Sequence, residues 1–158
     1  MTTVPDWFDR PDPTGATSTG ERGLRFTCTQ CGACCTGPSG YVSFTPTEAK
    51  TIARRLAITP DEFIKSYTTD TPMGPSFIER RTEFGFDCVF LDRETIPGRA
   101  ICSIYEDRPS QCRTWPFWEG NLRSPNHWKV AGRTCPGIDK GRLHSPETIR
   151  LTLRGGEV

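Results

Sequence analysis

Residues 28–35 read Cys-Thr-Gln-Cys-Gly-Ala-Cys-Cys and place half of the chain's eight cysteines in one eight-residue window. No hydrophobic core needs that arrangement. Thiolates repeated every third residue can bend around one metal centre while their backbone amides turn in toward the sulfurs. Gly32 supplies the backbone freedom for such a turn. Cys88, Cys102, Cys112 and Cys135 are scattered over the second half, separated by thirteen, nine and twenty-two residues. The pattern is that of a local chelating loop completed by distant ligands.

The bulk composition agrees. A chain of 158 residues is long enough for one domain with tails and a real core. Only 34% of residues are hydrophobic, against 15 glycines and 14 prolines. The expected fold is therefore a small, loop-rich α+β domain of short strands and a few short helices, in which metal bonds replace some apolar burial. Net charge is +1 and no Lys/Arg block stands out, which argues against a nucleic-acid or anionic-membrane partner. No apolar run approaches a membrane span, and the N-terminus lacks an export signal. The expected location is the cytoplasm, where cysteines stay reduced. A disulfide framework fits an even cysteine count, but a vicinal pair inside a Cys-x2-Cys-x2-Cys run is poor disulfide geometry.

Along the chain, residues 1–22 are rich in Pro, Gly, Ser and Thr and read as a disordered leader, which Trp7 and Phe8 could pin to the body. The metal-binding domain is expected over residues 23–143, with a C-terminal helix and tail over 144–158. Tyr41–Phe44 reads as a short strand. Thr45-Pro46-Thr47-Glu48 and Thr59-Pro60-Asp61-Glu62 are capping boxes with proline at the first helical position. Ala49, Ile52, Ala53 and Leu56 form the buried stripe of the first helix, and Phe63, Ile64 and Tyr67 that of the second. Phe77–Arg81, Cys88–Leu91 and Arg99–Ile104 read as strands, the last two as a hairpin across Asp92–Gly98. Asp107 is placed to cap a short helix carrying Cys112. Trp115–Gly137 reads as aromatic and irregular, and Ser145-Pro146-Glu147 opens a last helix.

Two centres compete for the thiolates. Cys28-x2-Cys31-x2-Cys34 matches the first three positions of a ferredoxin-type run, and Cys135-Pro136 matches its remote Cys-Pro, which favours a [4Fe-4S] iron–sulfur cluster. Zinc is the alternative: Cys-x2-Cys is its commonest loop, and eight cysteines would make two four-thiolate sites. The missing second Cys-x2-Cys knuckle tells against a zinc ribbon. Adjacent side chains diverge, so Cys34 and Cys35 are not expected to bind one metal atom alike. Arg108 and Arg113 flank Cys112 and are candidates to hydrogen-bond cluster sulfurs. Glu106 and Asp107 are weaker candidates for an acid–base pair, and His127 for a ligand. Trp115, Phe117, Trp118 and Trp128 read as core or as shielding.

These motifs, in order, resemble a known family. Phe26-x-Cys28-x2-Cys31-Gly32-x-Cys34-Cys35, then Cys88-Val-Phe-Leu91, then Cys102-Ser-Ile-Tyr105-x2-Arg108-Pro109-x2-Cys112-Arg113-x-Trp115-Pro116 is similar to the YkgJ-type CxxCxxCC proteins, a zinc- or iron-chelating domain. The resemblance runs from about Leu24 to Gly141. It implies that Cys28, Cys31, Cys34, Cys35, Cys88, Cys102, Cys112 and Cys135 are the metal set. A similar domain occurs in the larger flagellin lysine N-methylases. Three roles follow from the resemblance and the residues: a redox, chelating or accessory metal module, a structural zinc protein presenting a surface to a protein partner, or a metal-dependent methyl-transfer or demethylation enzyme.

Overall fold

The computed structural model describes residues 6–16 and 18–155. Residues 1–5 and Thr17 of the expected leader, and the last three of the tail, lie outside them. In chain order the elements are β1 (Leu24–Phe26), α1 (Pro46–Arg55), α2 (Pro60–Tyr67), β2 (Thr68–Thr71), β3 (Gly74–Phe77), β4 (Glu79–Thr82), β5 (Gly85–Cys88), β6 (Leu91–Asp92), β7 (Ile101–Cys102), α3 (Ser110–Arg113), α4 (Glu119–Leu122), α5 (Pro125–Gly132), β8 (Ile138–His144) and α6 (Pro146–Leu153). The class is α+β, as the composition led us to expect. The strands pair two by two and antiparallel: β1 with β8, β2 with β3, β4 with β5, and β6 with β7. No helix among the described residues is long and apolar enough to cross a membrane.

The chain divides into two compact units, one of Gln30–Arg113 and one of Met1–Thr29 with Thr114–Val158. In the first, both capping boxes form as their sequences require: Thr45 and Glu48 exchange bonds at the start of α1, as do Thr59 and Glu62 at α2. Ala49, Ile52 and Ala53 are buried, and so is Phe63. The core is an aromatic stack in which Phe63, Phe77 and Phe90 are fully packed and Tyr67 lies flat on Phe90 at 5.4 Å between ring centroids. Ile64, expected inside, is exposed, because one turn of a short helix presents only Phe63 and Tyr67 to the rings.

Tyr41–Phe44 is not a strand. Side chains replace a ladder there: Val42 N–H donates to Ser76 Oγ, Ser43 N–H to Gln111 Oε1, and the Gln111 amide to the Tyr41 carbonyl. The expected strand Phe77–Arg81 breaks at Ile78, whose N–H donates to the Tyr67 carbonyl. The expected strand Cys88–Leu91 is likewise split. Cys88 closes the β4–β5 hairpin opposite Glu79, and Leu91 opens β6 opposite Cys102. The hairpin across Asp92–Gly98 is present, with only Ile101 and Cys102 of Arg99–Ile104 paired.

The second unit is built on β1–β8, with Leu24 opposite His144 and Phe26 opposite Ile138. Trp7–Asp9 forms one 3-10 turn. Phe8 is 2% exposed in a core with Phe26, Phe117, Trp128 and Ile149, Trp7 Nε1 donates to the Leu122 carbonyl, and Arg150 bridges Asp6 and Asp9. Trp7 and Phe8 thus attach residues 6–9 to this core. Trp115–Gly137, expected to be irregular, contains α4 and α5. Ser124 caps α5 and Pro125 stands at its first position, the same signal as at Ser145-Pro146, where α6 starts.

His144 carries a pH-dependent share of this unit's stability. Its Nε2 bonds the Phe26 carbonyl at 3.0 Å, so that nitrogen holds the proton, while Nδ1 is buried without a hydrogen-bond partner. Burial disfavours the charged ring and Arg142 repels it, and together they outweigh the Phe26 bond and depress its pKa below 6.5. The neutral ring therefore stabilises the fold above pH 6.5, and that contribution is lost as pH falls through the depressed value. The thermal midpoint should fall on acidification below about pH 6.5 and fall less in His144→Gln, which retains a donor for Phe26. Parallel acid profiles in the two proteins would remove His144 from the account.

Candidate metal centre

Six of the eight cysteines belong to the Gln30–Arg113 unit. All eight are thiols rather than disulfides. Gly32 adopts the left-handed conformation (φ 74°), after which Ala33–Cys35 forms a 3-10 turn closed by Cys35 N–H on the Gly32 carbonyl at 3.0 Å. A Cβ at position 32 would stand 2.8 Å from the Ala100 Cβ, 2.9 Å from Leu91 Cδ1 and 3.0 Å from the Ala100 carbonyl oxygen. The loop thus rests directly on the β6–β7 hairpin, whose last residue is Cys102.

The turn brings the Cys34 and Cys35 sulfurs to 3.8 Å, against the expectation of divergence. At a zinc–sulfur bond of about 2.3 Å, two corners of a tetrahedron lie about 3.8 Å apart, so this pair has the spacing of one edge of a tetrahedral thiolate site.

The remaining thiols act electrostatically on this pair and on one another. Cys34 is brought down to about 7, first by the hydrogen bond from Cys35 and also by Arg108. Cys35 is pushed far up by that same bond, by burial, and by Cys34, Cys88 and Cys102. Cys88 is pushed up to about 11, mostly by burial and then by Cys102. Cys112 is also raised, by burial and by Cys88, Cys34 and Cys102. Cys34, Cys35, Cys88, Cys102 and Cys112 therefore share one neighbourhood. Among the described residues, no three His, Cys, Asp or Glu side chains are yet gathered into a ready cage.

Cys112 rides on α3, which Glu48 anchors. Glu48 Oε2 accepts from Thr45 N–H, while Oε1 accepts from Ser110 N–H at 2.7 Å and faces Arg113 at 3.7 Å. Asp107, expected to cap this helix, instead pairs with Arg55. Arg108 stacks on the Tyr105 ring at 3.7 Å and lowers both Cys34 and Cys112, whereas Arg113 lies against Glu48.

Cys28 and Cys135 belong to the other unit. Cys135 is buried, and Trp115 Nε1 donates to its sulfur at 3.5 Å. Thr27 N–H donates to the Gly137 carbonyl, so both cysteines flank the same end of β1–β8. His127 is exposed and bonds its own helix cap, Ser124, at 2.8 Å. Phe117 and Trp128 are core, and Trp118 packs edge-on against Trp115.

Residues 27–136, which include every cysteine, match the family model CxxCxxCC, described as "Putative zinc- or iron-chelating domain". The chain belongs to the CxxCxxCC family. No solved structure matches it. Metal chelation is the chemistry the family description names, and the donors of this CxxCxxCC protein suit it, since thiolates are favoured ligands of both zinc and iron.

Gly32→Ala should dislodge the chelating loop without removing a donor. Overpacking of this kind costs about 1–3 kcal/mol. The expected result is a lower thermal midpoint and lower metal content, read by calorimetry and metal analysis. Unchanged values for both would mean the loop does not depend on that close approach.

Proposed function

We propose that the chain is a thiolate chelator that holds one zinc or iron atom through Cys34 and Cys35, completed by thiolates drawn from Cys88, Cys102 and Cys112. The observation carrying this reading is the 3.8 Å separation of the Cys34 and Cys35 sulfurs, the span of one tetrahedral edge. The surrounding electrostatics support it. Several half-buried thiols that raise one another's pKa do not ionise together without a cation to join them. Bound metal would supply that positive charge, hold the sulfurs as thiolates and link the loop to β5, β7 and α3. Arg108 adds positive charge beside Cys34 and Cys112.

The ferredoxin-type spacing and Cys135-Pro136 favour a second reading, a [4Fe-4S] centre in which each thiolate takes its own iron. One experiment separates the two. Protein purified without oxygen and loaded with Zn²⁺, or with Co²⁺ as an optical reporter, should bind one equivalent with thiolate-to-cobalt charge-transfer bands. Cys34→Ser and Cys35→Ser should each lower Zn²⁺ affinity by at least tenfold, since hydroxyl is a poor substitute for thiolate. Brown protein with acid-labile sulfide equal to its iron would establish the cluster reading instead. Wild-type affinity in both serine variants would refute the shared-edge site.

A further inference from the structure

One buried carboxylate in the Gln30–Arg113 unit has no part in capping a helix. Asp87 is 2% exposed. Its oxygens accept from Thr36 Oγ1 at 2.5 Å, from Arg93 Nε at 2.6 Å and from Arg93 Nη2 at 3.0 Å. Thr36 directly follows Cys35, and Asp87 directly precedes Cys88. A single carboxylate therefore connects the exit of the chelating loop to the strand that delivers a second thiol.

The surroundings make this connection stiff. The Arg93 guanidinium is covered by the Phe84 ring at 4.1 Å. Phe86 N–H donates to the Gly37 carbonyl at 2.7 Å. Gly85 approaches so closely that a Cβ there would stand 2.6 Å from the Gly37 oxygen, which brings the two backbones together with no side chain between them. Residues 36–37 are thus fastened to β5 by one main-chain and one side-chain bond. For packing alone, an apolar residue would serve better than a buried charge, which is costly to desolvate. What a carboxylate adds is direction: two fixed hydrogen-bonding oxygens that set the loop's register against the strand.

We propose that Asp87 is a positioning residue for the metal centre, orienting Cys35 through Thr36 and Cys88 through the chain itself, with Arg93 holding the carboxylate in place. The inference rests on the thiolate-chelator reading above and names how that site is pre-arranged. Residues outside the ligand shell that orient ligands typically contribute 10–100-fold to metal affinity.

Thr36→Val removes the hydroxyl at nearly constant shape, and Thr36→Ser keeps it. Zn²⁺ affinity is measured by competition with a chromophoric chelator, and the geometry is read from the Co²⁺ charge-transfer spectrum. Thr36→Val should bind Zn²⁺ about 10–100-fold more weakly with a shifted Co²⁺ spectrum, while Thr36→Ser returns to near wild-type on both. Asp87→Asn should follow Thr36→Val. Should Asp87→Asn fail to fold, the Thr36 pair still decides. Wild-type affinity and spectrum in Thr36→Val overturn the positioning role alone, as does an equal loss in Thr36→Val and Thr36→Ser. A wild-type protein that binds neither ion through thiolates overturns the chelator reading and this inference together.

Discussion

Neighbouring thiols oppose one another's ionisation, and that opposition is the constraint on which the Gln30–Arg113 unit turns. Burial and neighbouring sulfurs hold Cys35, Cys88 and Cys112 protonated, while Cys34 alone is eased toward the anion by the Cys35 hydrogen bond and Arg108. A protonated set is a poor ligand and an ionised one is unstable, so the arrangement suits a cation as its neutralising partner. The scaffold keeps these sulfurs in one neighbourhood by means other than a large core. Gly32 lies on the β6–β7 hairpin, Glu48 joins the start of α1 to the helix of Cys112, and Asp87 joins the chelating loop to β5.

Two carboxylates thus do at close range what hydrophobic layers do in larger domains. Glu48 satisfies the N-terminal amides of two helices at once, so α1 and α3 cannot drift apart without leaving a donor unpaired. The aromatic stack of Phe63, Phe77 and Phe90 lies behind Cys88 and Cys102, which pack against it. Apolar burial therefore backs the site and polar bonds aim it.

The helices with capping boxes were readable because Thr-Pro-x-Glu writes its own hydrogen bonds within four residues. The α5 start, Ser124-Pro125, carried the same kind of signal and was obscured by the surrounding aromatics. The strands were less legible, since two-stranded ribbons of two to four residues leave too little alternation to read. Among the candidate residues, the eight cysteines stood out by composition and spacing, and Arg108 and Arg113 by flanking Cys112. The convergence of Cys34 and Cys35 depends on side-chain torsions, which adjacency in sequence does not reveal. Asp87 lies just outside the strand expected at Cys88–Leu91, where a lone acid carries no signal of burial. Its partners Thr36 and Arg93 lie fifty-one and six residues away, and only the fold brings them together.

The discontinuous unit has a consequence for the order of events during synthesis. Its defining bonds join distant parts of the chain: Trp7 with Leu122, Arg25 with Gly141, and Asp9 with Arg150. The first waits for α4 to leave the ribosome, the second for β8 and the third for α6, because chain emerges from the N-terminus onward. The Gln30–Arg113 unit faces no such wait, since its capping boxes, hairpins and six cysteines lie within one uninterrupted stretch. For a period set by the translation of some thirty further residues, at roughly 5–20 residues per second, those six thiols precede the β8 strand that completes the other core. The arrangement of the polypeptide thereby separates the completion of the two units in time.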